Sequence, residues 1–103
     1  MPEFRISVGQ TASSDINPAG DVDTYGIRLT AGQAYSFDVD GDGLDPTLTI
    51  RDPFGTAVAF DDDGGGGFDS HLDFLATSSG TYTLVVAGFA NDTGHYDLVT
   101  AIA

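Results

Sequence analysis

Ala34-Tyr35-Ser36-Phe37-Asp38-Val39-Asp40-Gly41-Asp42-Gly43 decides the fold class. Large apolar residues alternate with short polar ones at a period of two, the spacing of a strand with one buried face. The run ends in Asp-Gly-Asp-Gly, where Gly reaches backbone conformations closed to other residues and Asp bonds its own main chain, so a turn follows. The same parity recurs outward in both directions: Tyr25, Ile27 and Leu29 before it, then Leu48 and Ile50, Leu72 and Phe74, Tyr82, Leu84 and Val86, and Tyr96 with Leu98. Turn formers separate the sets at Ala31-Gly32, Asp52-Pro53-Phe54-Gly55, Gly64 to Gly67, Ser79-Gly80 and Asn91-Asp92-Thr93-Gly94. With one Glu, no Lys and fourteen Gly, helix signals are nearly absent. The spacing predicts an all-β chain, an antiparallel, jelly-roll-like β-sandwich of about seven or eight short strands. Ile6 and Val8 read as the start of an extra edge strand.

At 103 residues and 10.7 kDa the chain forms one domain over 1–103, with Met1 to Phe4 reading as a vector-derived scar. Three basic residues against sixteen acidic ones give a net charge of −13. That field repels phosphate backbones, which excludes nucleic acid as a partner, and at low salt it favours a monomer. No apolar run reaches the roughly 20 residues of a membrane-spanning helix, so membrane insertion is not expected. There is no cysteine, which removes disulfides, thiolate metal sites and a thiol nucleophile.

Fifteen of the sixteen acids are Asp, and nine of those fall between Asp38 and Asp69. Short carboxylates in Gly-rich turns, beside backbone carbonyls, suit the oxygen shell of Ca²⁺ better than that of Mg²⁺. The densest stretch runs Asp61-Asp62-Asp63, four glycines, Phe68 and Asp69; a divalent cation would reverse its mutual repulsion. Asp38 to Gly43 opens like an EF-hand loop, but Thr49 stands where that loop needs a bidentate Glu and strands flank it, so an EF-hand is not expected. Asp40, Asp42 and Asp45 remain candidate ligands, or Asp38 and Asp40 simply face solvent. Asp21 and Asp23, just before a strand, are a ligand pair or a plain turn. Ser70 and His71 are neighbours that leave a strand on opposite faces, and no nucleophile-elbow motif is present, so the chain does not read as an enzyme. Phe54, Phe60, Phe68 and Phe89 lie at turns or strand ends, where they either plug the sandwich or stay exposed to grip a ligand.

Gly20-Asp21-Val22-Asp23-Thr24-Tyr25, Leu29 to Tyr35, Leu44-Asp45-Pro46-Thr47-Leu48, Asp61 to Gly64, Ser79-Gly80-Thr81-Tyr82 and Gly94-His95-Tyr96, in that order, resemble the bacterial pre-peptidase C-terminal domain over about residues 16 to 102. The resemblance implies a jelly-roll-like sandwich appended to secreted bacterial peptidases, other exoenzymes or adhesins, without catalytic residues of its own. It implies an extracellular setting, the parent protein's other domains as partners, and a role in folding, secretion or targeting. Collagen-binding domains of related fold use calcium at acidic residues near the first strands, which raises Asp21 and Asp23 as ligands. The acidic segment that often precedes such domains is missing here, since Ser7 to Ser14 is uncharged, so the Asp61 cluster is the stronger expectation. The alternative is a recognition module for collagen-like peptide or polysaccharide, with Phe54, Phe68 and Phe89 as contacts.

Overall fold

The computed structural model describes residues 4–16, 21–42, 44–62, 69–89 and 92–103, the side chain of Asp42 excepted. Asp63, Gly64 to Gly67 and Phe68, read above as part of the acidic loop, lie outside the described residues. Nine strands are described: β1 (Phe4–Arg5), β2 (Thr11–Ile16), β3 (Val22–Leu29), β4 (Ala34–Asp42), β5 (Pro46–Arg51), β6 (Ala57–Asp61), β7 (Ser70–Leu75), β8 (Gly80–Gly88) and β9 (Gly94–Ile102). They form a five-stranded sheet ordered β1-β3-β8-β5-β6 and a four-stranded sheet ordered β2-β9-β4-β7. All pairs are antiparallel except β1 with β3.

The alternation delivers the core as expected. Tyr25, Ile27, Leu29, Leu48, Ile50, Tyr82, Leu84 and Val86 face inward from the first sheet, and Tyr35, Phe37, Val39, Tyr96 and Leu98 from the second, all buried. Phe74 of β7 meets Tyr82 of β8 edge-on with ring centres 5.5 Å apart, so an aromatic pair spans the two sheets. The N-terminal end departs from the sequence reading. The first strand is Phe4–Arg5 rather than Ile6 to Val8: Ile6 is buried just beyond it and donates its N–H to the Gly26 carbonyl, while Val8 lies in a turn. β2 has no apolar alternation, since Thr-Ala-Ser-Ser-Asp-Ile offers only Ala12 and Ile16 to the interior. Pairing with β9 makes it a strand.

Turns close with carboxylates. In the β5–β6 hairpin one oxygen of Asp52 accepts from the N–H of Phe54 and of Thr56, both at 2.9 Å, and Gly55 takes a φ of 88°, in the left-handed region that favours glycine. At the end of β8, a Cβ on Gly88 would lie 2.0 Å from the Asp92 carbonyl oxygen, so any side chain there forces the β8–β9 connection apart.

A network of polar side chains crosses the core. Asp23, on the inner face of β3 and 4% exposed, accepts a hydrogen bond from the Tyr96 hydroxyl of β9 at 2.6 Å. Tyr96 has a single proton and gives it to Asp23, so the Tyr25 hydroxyl, 2.5 Å away, donates to Tyr96. Burial first, then the bonds to Asp23 and Tyr25, holds the Tyr96 phenol far above its ordinary value; burial likewise raises Tyr25. Replacing Tyr96 with Phe leaves a buried carboxylate without its donor, which costs about 2–3 kcal/mol, whereas Tyr25→Phe removes only a terminal link and costs about 1 kcal/mol. Urea unfolding followed by circular dichroism distinguishes them: Tyr96→Phe is to lose the more, and equal losses would mean that Asp23 is satisfied some other way.

Candidate functional site

The acidic residues divide into two populations with different work. The first binds backbone. Asp61 accepts from the His71 N–H at 2.8 Å, Asp69 from the Gly41 N–H at 2.9 Å, Asp92 from the Asp45 N–H at 2.8 Å, and Asp21 from the Val22 N–H at 3.0 Å. Each contact ties a turn or strand end to its neighbour, with ionised acceptors that make such bonds stronger than neutral ones. The Asp45 carbonyl also accepts from the Phe89 N–H at 2.8 Å, so the chain before β5 and the chain after β8 are held together from both sides. Between the sheets, buried Ser70 donates to the Pro46 carbonyl at 2.7 Å.

The second population covers the outer face of the four-stranded sheet. Parity puts Asp15 on β2, His95 and Asp97 on β9, Asp38 and Asp40 on β4, and His71 and Asp73 on β7 on that face, all opposite the core. Cross-strand register brings them into rows: Asp15 beside His95, Asp97 beside Asp40, Asp38 beside His71. His71 bridges Asp38 at 2.5 Å and Asp73 at 3.0 Å; His95 bridges Asp15 at 2.9 Å and Asp97 at 3.5 Å, and Ser13 hydrogen-bonds Asp97. Asp40 has no such cation. Burial, then Asp69, Asp38 and Asp97 around it, raises its carboxyl above the usual value.

Of the residues singled out in the sequence, Asp40 and Asp69 are thus brought together at one corner. Asp45 sits at the β4–β5 connection with Asp92, Asp61 ends β6 beside His71, and Asp62 offers its backbone carbonyl to Ser70 at 2.9 Å. Asp23 is not in a turn but within β3, its carboxylate turned into the core and bonded to Tyr96. Asp21 stays at the strand entrance. Among the described residues no three acidic or histidine side chains converge on a point where one ion would reach them all. The described side chains therefore do not by themselves complete a calcium shell. His71, His95 and Asp97 escaped the sequence reading as parts of one system, although the spacings His71-x-Asp73 and His95-x-Asp97 already put each His and Asp on one strand face. Phe54, Phe60 and Phe89 are 90%, 61% and 51% exposed, so none of the three plugs the sandwich. Ser70 and His71 do leave β7 on opposite faces, Ser70 into the core and His71 outward.

The histidine bridges give the face a pH response. The hydrogen bond to Asp38, outweighing burial, raises His71 above its ordinary 6.5, with Asp73 adding to the effect. A raised pKa in the fold contributes stability that is complete below pH 6.5 and is lost as pH rises through the higher folded value. Asp40, raised above 3.8, has the same sign and acts in the acid range. The melting temperature is therefore to fall from about pH 6 to about pH 9, and His71→Gln is to flatten that fall; a pH profile unchanged by the substitution would remove His71 as its source.

The sequence matches the family model of the bacterial pre-peptidase C-terminal domain over residues 21–88. No curated protein sequence matches the chain. Among solved structures, the pre-peptidase C-terminal domain of a Bacillus anthracis collagenase superposes with a TM-score of 0.78 at 23% identity, over 97% of each chain. PliG of Aeromonas hydrophila, a periplasmic inhibitor of g-type lysozyme, gives 0.69 at 18% identity over 99% of this chain and all of the other. CorA of Methylomicrobium album, a surface-associated copper-binding protein, gives 0.70 at 10% over 98% of each. At these identities the three structures speak for the fold alone. The family model covers most of the chain, including β3, the Asp23 that closes the core and the Asp45 and Asp69 turns, and the chain belongs to the bacterial pre-peptidase C-terminal domain family.

Proposed function

We propose that this chain is a non-catalytic accessory module of a secreted bacterial protein, which assists its neighbouring domains in folding, secretion or targeting, and that calcium stabilises it. Membership of the family carries the accessory role. The separation of Ser70 from His71 across β7 supports a domain without its own nucleophile and base. The reading of a secreted setting draws on the collagenase domain, the periplasmic inhibitor and the surface-associated copper protein that share the fold.

Support for calcium comes from the corner where Asp40 lies among Asp38, Asp69 and Asp97, its carboxyl raised first by burial and then by their repulsion. A divalent cation supplies charge there that no basic side chain does, and it prefers carboxylate and carbonyl oxygen. Asp40 and Asp69 are the residues that would hold it, with Asp61, Asp62 and Asp63 next in the chain. An ion that binds only the folded state at 100 times its Kd stabilises by about 2.7 kcal/mol. That is a large part of the roughly 5–15 kcal/mol that holds a domain folded. Melting in EDTA, CaCl₂, MgCl₂ and NaCl of matched ionic strength tests this. A saturable rise specific to calcium, lost in Asp69→Asn, is the expected outcome; a rise that follows ionic strength alone would discard calcium and leave the accessory role standing.

A second reading, recognition of an extracellular peptide or polysaccharide, is favoured by one observation: Phe54 at the β5–β6 turn and Phe89 after β8 present their rings to solvent. Such rings give a partner large, rigid apolar area to stack on.

A further inference from the structure

The three arginines, the only cations besides the histidines, all belong to the five-stranded sheet, and no carboxylate takes an outward position within its described strands. Tyr25, Ile27, Leu48, Ile50, Tyr82, Leu84 and Val86 point inward, so Thr24 and Arg28 of β3, Thr47, Thr49 and Arg51 of β5, and Thr81, Thr83, Val85 and Ala87 of β8 point outward. Among these described positions there is no acid, in a chain with sixteen. The acids of this sheet are directed elsewhere: Asp23 into the core, Asp61 to the His71 N–H, Asp52 to its own turn. All four ion pairs among the described residues join His to Asp, and none uses an arginine. Arg28 and Arg51 thus have no aspartate partner among the described residues.

Register sets the cations in a pattern. Arg51, Thr83, Gly26 and Arg5 stand side by side across β5, β8, β3 and β1, and Arg28 lies two residues along β3 from Gly26, beside Thr81. Arg51 and Arg5 are three strand spacings apart, about 14 Å, with the small Thr83 and the bare Gly26 between them. A neighbouring row runs Thr24, Val85, Thr49, Phe60, ending in a ring that is 61% exposed. Arg51 donates one N–H to the Gly55 carbonyl at 3.1 Å, which ties the guanidinium to the β5–β6 turn at the end of this face and leaves further donors.

We propose that this face binds an anionic polysaccharide, a linear chain of sugars bearing carboxylate or sulfate groups. Guanidinium is always charged and its fork of donors matches the two oxygens of such a group. Rows of threonine hydroxyls suit sugar hydroxyls as donors and acceptors alike, and Phe60 offers an apolar face to a ring at the edge. A flat face with short side chains does not resemble the apolar grooves and strand edges that receive peptides. The chain's overall −13 does not forbid it. The Asp-rich face belongs to the other sheet, about 10 Å behind, and the screening length at physiological salt is about 8 Å. The surface lies apart from the Asp40 corner, so the proposal does not depend on calcium.

The test is a titration of the ¹⁵N-labelled domain, in EDTA so that no divalent ion bridges acid to acid, with oligogalacturonate, chondroitin sulfate, neutral dextran and a single-stranded oligonucleotide. Oligogalacturonate, chondroitin sulfate or both are to shift the amides of Thr24, Arg28, Thr49, Arg51 and Thr83, with affinity falling as salt rises at a log–log slope of about −2 for three arginines. Arg28→Gln and Arg51→Gln are each to weaken binding about two- to fivefold with the fold intact. The proposal is overturned if neither anionic sugar binds, if dextran or the oligonucleotide binds as tightly, if the shifts map to β2, β9, β4 and β7, or if the arginine variants bind like the parent. The calcium melt is a separate readout, so the failure of either idea leaves the other to stand or fall by its own experiment.

Discussion

The Tyr96–Asp23 hydrogen bond is the contact on which the arrangement of the two sheets rests. A sandwich held by dispersion and apolar burial alone tolerates sliding of one sheet on the other, because that attraction has little direction. A carboxylate buried at 4% exposure has no such tolerance: it must meet its donor within hydrogen-bond distance or carry a desolvation cost of several kcal/mol. Asp23 on β3 and Tyr96 on β9 thus lock the first sheet to the second at one point, and Tyr25 completes the chain of hydroxyls. Phe74 on Tyr82 and Ser70 on the Pro46 carbonyl add two further cross-sheet contacts near other edges.

The chain has no cysteine, and carboxylates take over much of the fastening that disulfides provide in small secreted domains. Asp52, Asp61, Asp69 and Asp92 each bind an N–H at a turn or strand end. This use explains why nearly every acid is Asp: its short side chain reaches backbone a few residues away, whereas Glu swings past it. The acids left over gather on one sheet face, where the two histidines neutralise part of the field and Asp40 keeps the excess. Fold and charge are therefore not independent. The same parity that buries the aromatic residues sorts the outward positions into an acidic face on one sheet and an arginine and threonine face on the other.

The sequence alone determined which residues are buried, because a strand with one dry face admits only a period of two, and Tyr35-x-Phe37-x-Val39 has no other stable reading. It also determined the turns, from Gly and Asp, and the family, from short motifs in a set order. β2 was illegible because its inner face carries only Ala12 and Ile16 around a serine, too little apolar contrast for a period of two, and its pairing with β9 is long-range. Asp23 looked like a turn ligand because its partner is 73 residues away, and no local pattern announces a buried carboxylate. The rows of Asp and His, and the arginine face behind them, were equally out of reach. Parity tells on which side of a strand a residue lies, but which strands are neighbours, and so which charges meet, is decided only when the sheets assemble.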